Sequence, residues 1–276
     1  MWSMFNGTIV NVITVAVGAV VGVLAAGRLP ERYRTIVLAC LGLITITLGV
    51  DAGVIVFGQT VAKFAPRVDA PQTYGARLAL VMIGSLLVGA LIGTALRIHA
   101  RIEGAGRWIH EHLSSPGNHA EGGGTDAATA GRGRAFAEGF LSASVIFCVG
   151  PLTLLGCLRN GAQGDPSYLY IKAMLDGFCA VALASSLGWG VLASVVTVLV
   201  FQGGLALLAG FGADRLPEVS LAMMNVVGGV ILLATALMIL EIKRIPVADL
   251  LPGIFLPPVV IWLCEWLRPG LLLPAM

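Results

Sequence analysis

Two ionisable residues stand four positions apart inside an apolar stretch of this sequence. Lys172 and Asp176 lie in "YLYIKAMLDGFCAVALASSL", which is long enough to cross a bilayer as a helix. A helical spacing of four places both side chains on one face, where they can pair. Ionisable residues within a span are costly and usually face the bundle interior or water. The spacing predicts a proton- or cation-responsive carboxylate with Lys172 as its counter-charge. The alternative is a neutralised structural pair that fixes helix packing.

The preceding apolar stretch contains a helix breaker. Gly150 and Pro151 fall in the middle of "FAEGFLSASVIFCVGPLTLLGCL". Proline removes a backbone donor and clashes with the preceding turn, so we expect this helix to kink or break. The two ends of a broken helix bind ions or polar solutes where they line a cavity. A plain proline kink is the alternative.

The segment that joins these two stretches is "RNGAQGDP", residues 159–166. Its glycines and turn-forming residues predict a tight re-entrant turn or an ordered loop, which would serve as a gate or a cap. An ordinary connecting turn is the alternative. Asn160 and Asp165 join the candidate site from this segment.

Three further polar residues fall within apolar stretches. Asn11, Gln202 and Asn225 either line a solute path or make hydrogen bonds between helices. The sequence has no HExxH, GxSxG, P-loop or GxGxxG motif. His110 and His112 lie in a polar linker without a Cys or carboxylate constellation to complete a metal site. We therefore predict no catalytic residue, no metal, no cofactor and no enzymatic activity.

The composition indicates that lipid is the main solvent of this chain. It has 276 residues, of which 57% are apolar and only 12% charged, with a mean hydropathy of +0.92. A soluble domain is about 25% charged. The net charge of +2 and the lack of a basic run argue against nucleic acid as a partner. The five cysteines all fall in apolar stretches and are interpreted as small hydrophobic residues.

The predicted fold class is all-α, a polytopic transmembrane bundle that forms one domain over residues 1–276. A polar, partly disordered linker at residues 97–134 interrupts it. Lysine and arginine are more frequent in the loops on the linker side. That bias predicts a cytoplasmic linker and both termini outside. The eight predicted spans are residues 7–26, 35–57, 76–96, 136–158, 168–187, 189–211, 219–240 and 251–267.

The tetrapeptide "RLPE" occurs twice, at residues 28–31 and 215–218. Proline followed by glutamate suits a helix start, which explains one copy. The second copy follows at an offset of 187 residues and again lies between two spans. Five of the predicted spans lie between the two copies, and because five is odd, the copies would face opposite sides of the membrane. The sequence thus predicts inverted-topology repeats, residues 7–96 and 189–267, as found in many secondary transporters.

The stretch "FCVGPLTLLGCLRNGAQGDPSYLYIKAMLDGF" resembles the pattern of a bacterial inner-membrane family. This is the YqgA/YdfK-like family, domain of unknown function 554. The resemblance begins at "GTIVNVITVAVGAVVG" and covers nearly the whole chain outside the Gly-rich linker. It implies a multi-pass protein of the bacterial inner membrane and supplies no activity.

The leading prediction is a small-solute or ion transporter, or a channel, with its polar site at the broken fourth helix and the Lys172/Asp176 helix. One alternative is a membrane scaffold or regulator that acts through two GxxxG faces, Gly18/Gly22 and Gly89/Gly93. An intramembrane enzyme that uses carboxylates is the other. The expected partners are the lipid bilayer, a small solute or ion and further copies of the chain.

Overall fold

The structure is a computed structural model of the protein. It describes residues 2–25, 31–68, 70–101, 136, 139–140, 142–144, 146–148, 151–213 and 216–273. Several residues that the sequence singled out lie outside these ranges, namely Arg28, Gly150, Arg215, His110 and His112. The same holds for residues 102–134 of the predicted linker.

The described residues form helices joined by short turns. Seven helical stretches among them are long and apolar enough to cross a membrane, or eight when a bent pair counts as one span. This confirms the predicted all-α polytopic bundle. The helices are α1 (Trp2–Leu24), α2 (Glu31–Val50), α3 (Val56–Phe64), α4 (Tyr74–Ala95), α5 (Ser142–Cys148), α6 (Pro151–Gln163), α7 (Ser167–Leu187), α8 (Gly190–Ala213), α9 (Glu218–Ile239), α10 (Val247–Leu250) and α11 (Leu256–Leu267).

The second span is longer than hydropathy predicted. A π-helical segment, Asp51–Ile55, joins α2 to α3, so the helical stretch runs to Arg67 rather than to residue 57. The extension "GQTVAKF" places Thr60 and Phe64 in the interior while Lys63 points outward. An amphipathic stretch of this kind lowers the average hydropathy although one face is buried.

The described residues divide into two compact units, and the first takes its residues from 1–37 and 100–211. In this unit α1 and α7 run parallel, because residues further along α1 contact residues further along α7. Gly7 lies against Leu169, Gly18 against Gly177 and Gly22 against Val181. A Cβ atom on Gly18 would overlap the carbonyl oxygen of Gly177. Small residues thus bring these two backbones into direct contact, as in many membrane helix pairs.

The broken helix belongs to the same unit. Its halves, Ser142–Cys148 and Leu152–Gln163, meet at 53°. Both follow α8 in the same direction: Ser144 Oγ lies 3.1 Å from Thr197 Oγ1, Cys157 Sγ lies 3.4 Å from the carbonyl oxygen of Gln202, and Gly161 packs against Ala206. A re-entrant loop would reverse its direction at the break. We therefore interpret α5 and α6 as one bent span, and with it the spanning stretches among the described residues number eight.

The second unit takes its residues from 38–99 and 212–276. In it, α2 and the π-helical segment run antiparallel to α9. Gly42 lies against Leu240, Gly49 against Leu233 and Gly53 against Gly229. At the offset of 187 that relates the two "RLPE" copies, Gly42 is equivalent to Gly229 and Gly53 to Leu240. The offset therefore converts the contact of Gly42 with Leu240 into the contact of Gly229 with Gly53. Two helices related by a two-fold axis must show this exchange.

Helix α4 packs on the C-terminal part of the same unit. Gly89 lies against Gly253, and Gly93 against Asp249. The Tyr74 hydroxyl donates to the carbonyl oxygen of Leu272 at 3.0 Å. The GxxxG face of α4 is therefore covered by the chain itself.

Candidate functional site

Four polar side chains from three helices form a buried network in the first unit. Asp176 Oδ2 on α7 accepts hydrogen bonds from Lys172 Nζ and from Asn11 Nδ2, the latter at 3.0 Å. Asn11 Nδ2 also donates to Gln202 Oε1 on α8 at 2.8 Å. Asn11 and Gln202 are fully buried. The network thus links α1 to both α7 and α8.

Local sequence explains why these short side chains can meet. The four-residue spacing sets Lys172 and Asp176 on one face of α7. Gly177 follows Asp176 directly and lies near Thr14 of α1, so the two helices approach closely beside the network. Because Asn and Asp side chains reach only a short distance, the direct hydrogen bond between Asn11 and Asp176 depends on this approach.

The network contains one positive and one negative charge. The Lys172 and Asp176 side chains are only 4% and 12% exposed. Burying a charge is costly unless it is paired and hydrogen-bonded. Each ion is therefore tolerable here only because the other is present, and Asn11 gives the carboxylate a second hydrogen bond.

Three polar atoms in and beside the network have no hydrogen-bond partner among the described residues. They are Thr8 Oγ1, Asn11 Oδ1 and Gln202 Nε2. Buried polar atoms usually have a partner in the protein or in an ordered ligand or water. The network thus retains unused hydrogen-bonding capacity. Thr8 was missed by the sequence analysis, although it lies one helical turn from Asn11 on the same face of α1.

The bent span that contains the break lies beside the network. Cys157 of α6 places its Sγ 3.4 Å from the carbonyl oxygen of Gln202. The Thr153 hydroxyl donates to the carbonyl oxygen of Phe147 at 3.1 Å, which satisfies an acceptor beside the break. Pro151 is the first residue of α6, as expected for a helix breaker.

The "RNGAQGDP" segment forms an ordered turn between α6 and α7. Gly164 ends α6 with a φ of +69°, and Asp165 Oδ1 accepts a hydrogen bond from the Ser167 backbone N–H at 3.0 Å. Asp165 Oδ2 lies 2.7 Å from Arg159, whose guanidinium lies 4.5 Å from the centre of the Tyr168 ring. Partial burial opposes ionisation of Asp165, but the hydrogen bonds from Ser167 and the charge of Arg159 outweigh it and lower its pKa.

The structure brings four of the predicted site residues into one network: Asn11, Lys172, Asp176 and Gln202. Asn160 is fully buried on α6, and its carbonyl oxygen accepts from Gly164 at 3.1 Å. Asp165 lies in the turn, and Asn225 lies in the second unit on α9. That these residues bind a solute or an ion stays a prediction. Among the described residues, no group of three His, Cys, Asp or Glu could hold a metal ion.

Apolar helices of spanning length, glycine faces in backbone contact and a buried ion pair define a multi-pass α-helical membrane protein. The chain belongs to the family described as "Protein of unknown function (DUF554)", whose model matches residues 6–262. This confirms the family resemblance of the sequence.

Two relatives align with almost the full length of the chain. "Uncharacterized membrane protein YdfK" of Bacillus subtilis (strain 168) is 26% identical over 256 residues, which cover 93% of this chain and 95% of the relative. "Uncharacterized protein YqgA" of Escherichia coli (strain K12) is 29% identical over 256 residues, which cover 92% and 94%. No solved structure matches the chain.

Proposed function

We propose that this protein is a small-solute or ion transporter, or a channel, and that the buried network of the first unit is its polar site. The observation that carries the proposal is the Lys172–Asp176 pair with its contacts to Asn11, beside three polar atoms that have no partner among the described residues. Ionisable residues within membrane spans are rare, and they mark substrate or ion pathways and proton relays.

Two features of the fold support this proposal. The bent fourth span borders the network, and broken helices recur at the binding sites of secondary transporters. The antiparallel pair of α2 and α9 has the relation expected of helices from inverted repeats. Channels share such geometry, so both classes remain within the proposal.

The alternative functions have less support. The glycines that a scaffold would present to a partner lie inside the chain: Gly18 and Gly22 pack on α7, and Gly89 packs on Gly253. An intramembrane enzyme of the predicted kind needs facing carboxylates or a nucleophile with a base. Within the described residues, the hydrogen-bond partners recorded for Asp176 are a lysine and an amide.

The proposed setting is the bacterial inner membrane, with the linker at residues 97–134 in the cytoplasm and both termini outside. The bias of lysine and arginine towards the linker side supports this orientation. The family match supports a membrane location without specifying which membrane.

Replacing Asp176 by asparagine tests the proposal. The purified protein is reconstituted into liposomes, and flux is measured for ²²Na⁺, ⁸⁶Rb⁺, protons (with a trapped dye) and small neutral solutes (by swelling). We expect Asp176→Asn to slow at least one flux of the native protein by about tenfold or more, which corresponds to a barrier raised by about 1.4 kcal/mol.

Asp249→Asn is the matched control. Asp249 is a buried carboxylate of the second unit that accepts a hydrogen bond from the His99 backbone N–H at 2.8 Å, and asparagine keeps that acceptor. This control should keep the native flux. Equal fluxes in native protein, Asp176→Asn and Asp249→Asn would remove the network from any transport mechanism.

A further inference from the structure

We infer that the species bound at this site is a monovalent metal cation of the Na⁺ or K⁺ class, and that it binds by displacing the Lys172 ammonium group from Asp176. The inference rests on the proposed function and names its substrate class. Three properties of the site support it. Lys172 can leave the carboxylate, one positive charge must replace it, and oxygen atoms lie where they can coordinate the incoming ion.

Lys172 is the partner of the pair that can move. Its ammonium sits on a flexible four-carbon stem and can leave the carboxylate by rotation of the side chain. The Asp176 carboxylate is short, is 12% exposed and is also held by Asn11 Nδ2 at 3.0 Å. Exchange at this site therefore removes the cation and leaves the anion, which makes it a cation site.

Charge balance sets the valence of the incoming ion. Once the Lys172 ammonium has left, the network contains a single negative charge from Asp176. A monovalent cation restores neutrality, whereas a divalent cation would leave one uncompensated positive charge in a buried environment. Divalent cations in proteins are usually held by several carboxylates. Among the described residues, Asp176 is the one carboxylate of this network.

The atoms available for coordination are oxygens. Thr8 Oγ1 and Asn11 Oδ1 are buried without a partner among the described residues, and both lie on α1 one turn apart. Together with the carboxylate of Asp176 they present hard oxygen ligands, which suit alkali cations. Gln202 accepts from Asn11 Nδ2 through its own Oε1. Gln202 is thus a positioning residue, because it holds the Asn11 amide in one orientation.

In this arrangement Lys172 is an internal competitor for the cation. A metal ion can bind only in the fraction of molecules whose Lys172 ammonium has left the site. The apparent affinity is lowered by that fraction. Replacement of Lys172 by an uncharged residue removes the competitor and should therefore tighten cation binding. A purely structural ion pair would instead leave an unpaired carboxylate that gains nothing specific from Na⁺ or K⁺.

The experiment measures cation-specific stabilisation of the purified full chain in detergent. Tm is followed by tryptophan fluorescence in NaCl, KCl or choline chloride at constant ionic strength. We expect Lys172→Gln to reach half of its Na⁺ or K⁺ effect at a concentration about tenfold lower than the native protein does. Asp176→Asn should show the same Tm in all three salts. Lys63→Gln, which removes an exposed lysine paired with Glu218, should behave as the native protein.

A second variant keeps the ion pair intact. Thr8→Val removes one ligand oxygen at nearly constant volume, and we expect it to raise the half-saturating cation concentration of the native protein several-fold. Thr8→Val therefore tests the cation site even if Lys172→Gln does not fold. A Lys172→Gln protein that responds equally to Na⁺, K⁺ and choline would overturn the inference, as would a Thr8→Val protein with native cation dependence.

The two proposals can fail separately. Loss of neutral-solute flux in Asp176→Asn without any cation-specific effect on Tm would retain the transport site and reject the cation. Cation-specific stabilisation that depends on Asp176, combined with unchanged fluxes in Asp176→Asn, would retain the cation site and reject its role in transport.

Discussion

Asp165 connects the end of α6 to the start of α7 through a single carboxylate. One oxygen accepts from the Ser167 backbone N–H, and the other pairs with Arg159 at 2.7 Å. A carboxylate at a helix N-terminus both satisfies an orphan donor and interacts favourably with the helix dipole. The turn that precedes Lys172 is therefore held by side-chain contacts in addition to its backbone.

We expect Asp165→Ala to lower the free energy of unfolding by about 1 kcal/mol, the usual cost of removing a cap. Asp165→Asn should cost less, because its amide oxygen still accepts from Ser167. Since the folded-state pKa of Asp165 lies below its unfolded value, its charge stabilises the protein above the ordinary aspartate pKa of about 3.9. That contribution is lost as the pH falls through the folded pKa.

Denaturation of native protein and Asp165→Asn over a range of pH checks the sign. The native protein should be the more stable at neutral pH, and the difference should shrink under acid conditions. A difference that is constant from pH 7 to strongly acidic solution would show that the charge of Asp165 does not contribute.

The residues of the network differ in how far sequence could predict them. Asn11, Lys172, Asp176 and Gln202 are conspicuous because polar groups are expensive in apolar spans. Thr8 gives no such signal. A threonine in a helix usually bonds its own preceding turn, as Thr14, Thr45 and Thr60 do here. Nothing in the sequence marks the threonine whose hydroxyl lacks such a bond.

At the scale of helices, α1 and α7 pack with their backbones in direct contact at Gly18 and Gly177. We expect Gly18→Ala to destabilise the protein by about 1 to 3 kcal/mol, because its Cβ would overlap the Gly177 carbonyl oxygen and force the helices apart. The same displacement should lengthen the contact between Asn11 and Asp176 and weaken the proposed site. Thermal unfolding in detergent, together with the liposome flux assay, measures both effects.

Gly204→Ala is the control for this substitution. Gly204 lies in α8, and a Cβ there would meet no atom within 4 Å. Alanine is the better helix former by about 1 kcal/mol, so this variant should be as stable as the native protein or more so. Equal stability of the two alanine variants would contradict close packing at Gly18.

At the scale of the whole molecule, the predicted repeats require the two "RLPE" copies to face opposite sides of the membrane. The test labels single cysteines on intact cells with an impermeant maleimide. Each cysteine replaces Arg28 or Arg215 in a chain whose five native cysteines are replaced by alanine. We expect Arg215→Cys to react before the cells are permeabilised, and Arg28→Cys only afterwards. Ser114→Cys reports the linker side and should behave as Arg28→Cys. Reaction of both arginine positions on the same side would reject the inverted repeat.

The sequence by itself determined the class of this protein. Its apolar composition, the spacing of its spans and the proline at residue 151 depend on local properties, namely transfer to lipid and backbone geometry. Only the tertiary structure decided which polar residues meet. Asn11 and Gln202 are 191 positions apart and share a hydrogen bond, and their meeting depends on glycines that let helices touch. It also decided the direction of the broken span, since a kink at proline is equally compatible with a crossing and with a re-entrant loop.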